Sequence, residues 1–73
     1  MPKLPIVSAQ QAIKVFEKAG YRVVRQKGSH IRLLHLSKKA LTIPNHKELG
    51  KGLLRKLLRN TEMLISEFIR LLD

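Results

Sequence analysis

The stretch Lys27-Gly28-Ser29-His30 decides the fold of this 73-residue chain. It separates two short runs rich in Val, Leu, Ile and Arg, residues 21–26 and 31–36. Two such runs joined through Gly-Ser are typical of a β-hairpin, in which glycine supplies the positive φ of a tight turn. The turn places a histidine at the first position of the returning strand. Histidine is the side chain whose ordinary pKa lies nearest neutrality, so it can both donate and accept a proton.

The length of this turn also predicts which residues lie opposite each other. A two-residue loop gives four cross-strand pairs: Lys27 with His30, Gln26 with Ile31, Arg25 with Arg32, and Val24 with Leu33. Directly paired residues point to the same side of a sheet. One face therefore carries His30 with three cations, and the other carries Val24, Ile31 and Leu33 as core candidates. A slip of one residue would exchange the two faces.

A helix precedes the hairpin. Ser8 is typical of a helix N-cap, and Gln11 stands three residues later and completes a capping box. Gly20 suits the left-handed position that ends a helix. Apolar residues between them fall at helical spacing and form one stripe: Ala9, Ala12, Ile13, Phe16 and Ala19. These features predict a helix that begins after Ser8 and ends at Gly20.

The chain after the hairpin adds one strand and a helical region. Residues 37–39 predict a second turn, and residues 40–43 a short third strand that Pro44 stops. Residues 52–59 and 63–72 show helical spacing, and we favour a break between them near Asn60-Thr61, with either residue as the cap, over one continuous helix. The predicted class is α+β: a two-layer sandwich of helix, three-stranded antiparallel sheet and helix, plus a short C-terminal helix. One domain covers residues 1–73.

Composition narrows the possible partners. Fifteen Lys and Arg against five Asp and Glu give a net charge of +10, which favours a polyanion: nucleic acid first, then an acidic protein, then an anionic membrane surface. The chain has no cysteine, and no apolar run approaches the roughly 18 residues of a membrane span. The first residues show no apolar h-region, so no signal peptide is expected. We therefore expect a soluble, cytoplasmic protein.

Few residues suit base stacking or metal binding. Phe16 and Phe68 belong to apolar stripes, which leaves Tyr21 as the possible stacking platform. Nucleic acid would then be held by phosphate contacts and shape, as in double-stranded RNA modules. The three histidines and five acids are not spaced as a ligand cluster, so neither a metal nor another cofactor is expected.

Each candidate site residue has two readings. His30 is either a catalytic acid or base or a surface histidine on a hairpin, whereas His35 falls on the opposite face and suits a structural role. His46 either touches a phosphate or caps a local turn. Lys51, between two glycines, either holds a phosphate at the start of a helix or belongs to a flexible helix start.

Three segments, in order, carry a family resemblance. Gly20-Tyr21 leads to 25–30 (RQKGSH), which contains a Gly-Ser-His turn; 43–49 (IPNHKEL) follows the third strand; and 51–59 (KGLLRKLLR) forms the second helix. Together they resemble the HicA family of toxin ribonucleases from bacterial and archaeal toxin–antitoxin pairs. The resemblance covers about residues 8–72. Family members often have Gly and Ser where this chain has Glu62 and Leu64, and a second histidine where it has Ile31.

The resemblance implies a double-stranded-RNA-binding-domain-like fold and a metal-independent endoribonuclease, an mRNA interferase. Its active-site histidine would be His30, presented by Gly28 and Ser29. The implied partners are mRNA and a HicB-type antitoxin, with DNA reached only through the antitoxin complex and no membrane.

The chemistry expected of these residues is transfer of a proton at a phosphodiester. His30 would act on the 2′-hydroxyl or the leaving oxygen. Substrate contacts are expected from the turn and its surroundings: Arg25, Lys27, Gly28, Ser29, Arg32, His46 and Lys51. Two alternatives use the same surface without catalysis: a double-stranded RNA-binding module, and a basic protein whose main role is to sit in an acidic antitoxin complex.

Overall fold

The computed structural model describes residues 3–72; residues 1, 2 and 73, which the predicted domain also includes, lie outside the described part. The described elements follow the predicted order. They are α1 (Ala9–Lys18), β1 (Arg22–Lys27), β2 (His30–Leu34), β3 (Leu41–Pro44), α2 (Lys51–Thr61) and α3 (Ile65–Leu71). The strands form an antiparallel sheet in the order β1-β2-β3. The predicted α+β class is confirmed, and the arrangement is consistent with the double-stranded-RNA-binding-domain-like fold.

Helix α1 is fixed at its start by the predicted capping box. The Ser8 hydroxyl accepts a hydrogen bond from the Gln11 backbone N–H at 3.1 Å, and the Gln11 side chain accepts one from the Ser8 N–H at 2.9 Å. These bonds satisfy two backbone donors that the first turn of a helix leaves unpaired.

The end of α1 is a tight reversal at Gly20. Gly20 has φ +104°, and the next N–H, that of Tyr21, donates to the Phe16 carbonyl at 2.9 Å. The Gly20 N–H donates to Glu17 at 3.1 Å, which completes a Schellman motif. A Cβ at Gly20 would lie 2.9 Å from Nε2 of His35. Glycine is therefore required here both by the backbone angle and by the close approach of the His35 ring.

The hairpin register is as predicted near the turn and differs farther from it. Lys27 pairs with His30, Gln26 with Ile31, and Arg25 with Arg32. A β-bulge then inserts Val24, so Leu33 pairs with Val23 and not with Val24. The prediction of Val24 as a core residue is wrong, since 42% of it is exposed.

The core lies between the helices and one face of β2 and β3. Four strand residues point into it and are at most 3% exposed: Ile31, Leu33, Leu41 and Ile43. Phe16 of α1 and Phe68 of α3 are fully buried, with ring centroids 5.9 Å apart. Every residue of β1 is exposed, so this edge strand contributes little to the core.

The predicted break between the last two helices is confirmed, but it lies later than predicted. Thr61 is still the last residue of α2, and Glu62 reverses the chain in the left-handed region, with φ +57°. Leu64 is the N-cap residue of α3 and offers no side-chain hydrogen bond. Neither Asn60 nor Thr61 caps the last helix. Among residues 3–72, none of the helices is long and apolar enough to cross a membrane.

Candidate active site and nucleic-acid interface

The site is built on the hairpin turn. Gly28 has φ +59°, the left-handed conformation expected of a turn glycine. The Gln26 side chain donates to the Gly28 carbonyl at 3.1 Å. His30 is the first residue of β2. It pairs with Lys27 of β1 on one side and with Pro44 of β3 on the other, so the sheet holds its backbone from both sides. The imidazole therefore projects from a fixed backbone.

A second loop clamps this turn from the other edge of the sheet. The Asn45 N–H donates to the Ser29 carbonyl at 2.6 Å, and the Asn45 side-chain oxygen accepts from Gln10 of α1 at 3.2 Å. The next residue, His46, accepts through its carbonyl from the Ala9 N–H at 3.0 Å. The two motifs, residues 25–30 and 43–49, are thus neighbours in space.

The face of the sheet that the helices do not cover carries an open cavity of about 390 Å³. It is lined by Arg25, Lys27, His30, Arg32 and Thr42, all of them exposed. The three cations and the histidine that the register placed on one face therefore come together. Among residues 3–72, no group donates or accepts a hydrogen bond with the His30 ring.

Thr42 is a lining residue that the sequence analysis missed. It pairs with Arg32 across the β2–β3 ladder, and its hydroxyl accepts a hydrogen bond from Nη1 of Arg32 at 3.2 Å. This bond orients one guanidinium toward the cavity that contains His30. The alternation of Leu41 and Ile43 with Thr42 in β3 indicates that Thr42 points away from the core. Its position beside Arg32 could be predicted only with the β2–β3 register in hand.

The remaining predicted site residues do not line the cavity. Gly28 and Ser29 form the turn itself. His46 is exposed in the clamping loop, two residues beyond Pro44. Lys51 is the first residue of α2, after Gly50 at the N-cap, and its side chain is exposed. The structure brings Lys51 to a helix start, as expected, but not into the cavity.

Two aromatic rings near the sheet have structural roles. The Tyr21 ring is 4% exposed, and its hydroxyl donates to the Lys39 carbonyl at 2.8 Å. The buried ring therefore cannot serve as the stacking platform that the sequence left possible. Burial also raises the pKa of Tyr21, and the Glu62 carboxylate is a second cause. His35 packs on Tyr21 at 4.9 Å, and its Nδ1 accepts from the Ser37 N–H at 3.0 Å. The structural role predicted for His35 fits these contacts.

Metal ligands do not gather at this site or elsewhere in the part of the chain that the structure describes: no group of three His, Asp or Glu side chains could hold an ion. Proton transfer and charge stabilisation are the chemistry that the lining residues offer.

Comparison with known families supplies the decisive observation. The model of the family described as HicA toxin of bacterial toxin–antitoxin matches residues 9–63. The chain belongs to the HicA toxin family. As a HicA toxin it is one component of a toxin–antitoxin system and has an antitoxin partner. The match runs from the first residue of α1 through the turn and the clamping loop to Met63, and so it ends before α3. No curated protein matches the chain.

Proposed function

We propose that this HicA toxin is a metal-independent endoribonuclease that cleaves mRNA, with His30 as the acid or base, and that a HicB-type antitoxin neutralises it. The observation that carries the proposal is the placement of His30. Its ring has no hydrogen-bond partner among the described residues, stands in an open cavity with Arg25, Lys27 and Arg32, and rises from a backbone clamped by Asn45.

The proposed reaction is an internal transfer. His30 accepts the proton of a 2′-hydroxyl, the 2′-oxygen forms a bond to the adjacent phosphorus, and the bond from phosphorus to the 5′-oxygen breaks. The 5′-oxygen takes up a proton from water and His30 returns its proton to the solvent, so the products are a 2′,3′-cyclic phosphate and a 5′-hydroxyl. The internal nucleophile needs no metal and makes RNA, not DNA, the substrate.

The three cations have two roles in this reaction. They attract the phosphate backbone, since each Lys or Arg that neutralises a phosphate adds to affinity in a salt-dependent way. They also stabilise the negative charge that develops on the phosphoryl oxygens. Arg32 is oriented for this by Thr42. Gly28, Ser29, His46 and Lys51 would contribute backbone or side-chain contacts to flanking phosphates.

A single positioned acid or base gives about 10²–10⁴-fold acceleration. We therefore expect a slow enzyme, and His30→Ala should lower the cleavage rate by a factor in this range. The test is cleavage of a labelled RNA in EDTA by wild type and His30→Ala, with Lys14→Ala on the exposed face of α1 as a control that should cut like wild type. Circular dichroism must show that all three proteins are folded.

The substrate provides a second control. An RNA with a single 2′-deoxynucleotide at the cleavage position should resist the wild-type protein at that position only. Full activity of folded His30→Ala would overturn the role of His30, and cleavage of the deoxy-substituted position would overturn the internal nucleophile.

A second candidate is a non-catalytic double-stranded RNA-binding module. It is favoured by one observation: His30 is the one histidine among the residues that line the cavity, and its neighbour Ile31 is buried, so no second imidazole stands beside it. In that case wild type and His30→Ala would both shift RNA in a gel, and neither would cut it.

A further inference from the structure

A second cavity lies on the helical layer, where α2 turns into α3. It has a volume of about 380 Å³ and shares no lining residue with the His30 cavity. Its apolar lining comes from Leu58, Met63, Leu64 and Ile65, and two cations, Arg55 and Arg59, also line it. We call it the α2–α3 groove. Methionine at such a surface adapts its shape to different apolar groups.

The backbone at this groove departs from what local stability favours. Glu62 is in the left-handed region, which favours glycine, and is the one residue other than glycine with a positive φ among those described. Leu64 occupies the N-cap of α3, where Ser, Thr, Asp or Asn would satisfy an N–H, and it is 71% exposed. Residues that depart from backbone and capping preferences are expected mostly at functional sites. The exposed leucine in this capping position offers an apolar side chain to a partner.

The two arginines that line the groove, Arg55 and Arg59, limit which kind of partner can bind there. A second copy of the chain would bring another +10 protein against Arg55 and Arg59, which is unfavourable. A nucleic acid would satisfy the arginines but not the apolar wall. An acidic protein segment that also carries an apolar side chain satisfies both.

We infer that the α2–α3 groove binds an acidic, amphipathic segment of the antitoxin, which inserts an apolar side chain beside Leu64 and places carboxylates on Arg55 and Arg59. This second contact surface rests on membership of the HicA family, which implies an antitoxin, and not on catalysis by His30. The antitoxin would then hold the toxin at a surface separate from the one that binds RNA.

The test uses Leu64→Ser, which removes the apolar side chain and restores a capping group. Purified antitoxin from the toxin's own toxin–antitoxin pair is titrated by calorimetry into wild type, Leu64→Ser and Leu36→Ser. Leu36 is the matched control because it is a fully exposed leucine outside the groove. We expect Leu64→Ser to weaken binding about tenfold or more, since it removes one buried leucine from the interface, while its Tm stays equal or rises. Leu36→Ser should change the Kd less than twofold.

Several results would overturn the inference: no binding of the antitoxin to wild type, an unchanged Kd for Leu64→Ser, or equal losses for both leucine variants. Binding to phosphatidylglycerol vesicles that depends on Leu64, with an unchanged antitoxin Kd, would assign the groove to a membrane instead. Repeating the titration with His30→Ala and His30→Ala/Leu64→Ser separates the two proposals. The leucine dependence should persist in the His30→Ala background, whatever the cleavage assay shows.

Discussion

The two faces of β2 carry opposite kinds of residue within five positions. Ile31 and Leu33 are 3% and 0% exposed and pack into the core, whereas His30, Arg32 and Leu34 face outward. The alternation follows from the pleat of a strand, in which successive side chains point to opposite sides. On the inner face the chain uses apolar residues that fill space. On the outer face it uses a titratable ring and a charge, with the half-exposed Leu34 at the end of the strand.

This difference shows how a small domain can present a titratable group without a deep pocket. The inner side chains and the ladder fix the backbone of β2, so the outer side chains are held in register although they are exposed. Functional groups on a strand are positioned more accurately than groups on a free loop. Stability and activity should therefore be separable by substitutions at adjacent positions of one strand.

The largest effect on stability is expected from Leu33→Ala, with Leu34→Ala as its neighbour on the outer face. Leu33 is fully buried, so its truncation should lower the free energy of unfolding by about 2–5 kcal/mol. Leu34 is 42% exposed and its truncation should cost less than about 1 kcal/mol. Urea denaturation measures both. Equal losses would mean that the two faces are not distinct.

The two positive-φ glycines allow a second comparison. Gly20→Ala forces a left-handed alanine and places its Cβ against the His35 ring, and should cost about 2–3 kcal/mol. Gly28→Ala meets nothing within 4 Å of the new Cβ, so only the backbone cost of about 1 kcal/mol remains. Thermal unfolding of the two variants checks this order. A larger loss for Gly28→Ala would contradict the assigned packing of His35.

A smaller effect, confined to the outer face, is expected from Thr42→Val. The substitution keeps the shape of the strand and removes the hydrogen bond to Arg32. RNA affinity should fall by about 0.5–1.5 kcal/mol, or about two- to twelvefold, while the free energy of unfolding stays the same. Gel-shift titration at fixed salt measures the affinity. If Arg32→Ala loses affinity and Thr42→Val loses none, the hydroxyl does not orient the guanidinium.

The smallest effect concerns pH. Burial, followed by the Glu62 carboxylate, raises the pKa of Tyr21 above its ordinary value of about 10. The folded state thus holds this proton more tightly than the unfolded state. Its contribution to stability is complete below the unfolded pKa and is lost as pH rises through the folded pKa.

Tyr21 is the one tyrosine in the sequence, and tryptophan is absent, so the ultraviolet absorbance of tyrosinate reports it directly. We expect it to titrate above free tyrosine, and Glu62→Gln to move the midpoint slightly down. A midpoint at or below that of free tyrosine would show that the ring is not buried.

Much of this fold follows from local sequence signals. The capping box at Ser8 and the reversal at Gly20 were predictable because neighbouring residues alone determine them. The pairs nearest the turn followed from its two-residue length. The bulge at Val24 did not, because the inserted residue leaves no mark on the alternation of so short a strand. The same holds for Glu62, since a left-handed glutamate cannot be distinguished in sequence from a helical one.

The residues that the β1–β2 hairpin supplies to the candidate site were predictable. The prediction was incomplete for the residue that β3 contributes. Arg25, Lys27, His30 and Arg32 share a face by register alone, and they meet in one cavity. Thr42 lies on β3. The predicted turn at residues 37–39 does not determine which residues of β3 pair with β2. Tyr21 was left as a possible stacking platform because the sequence shows a polar hydroxyl but not the Lys39 carbonyl that accepts its hydrogen bond.

The contact between Phe16 and Phe68 joins the first helix to the last. During synthesis on the ribosome, α1 and the hairpin emerge long before Phe68, and the apolar face of α1 then lacks the ring that finally covers it. The core can close only after Phe68 has been translated. For a toxin this order has a consequence: the domain cannot complete its core before α3 has left the ribosome.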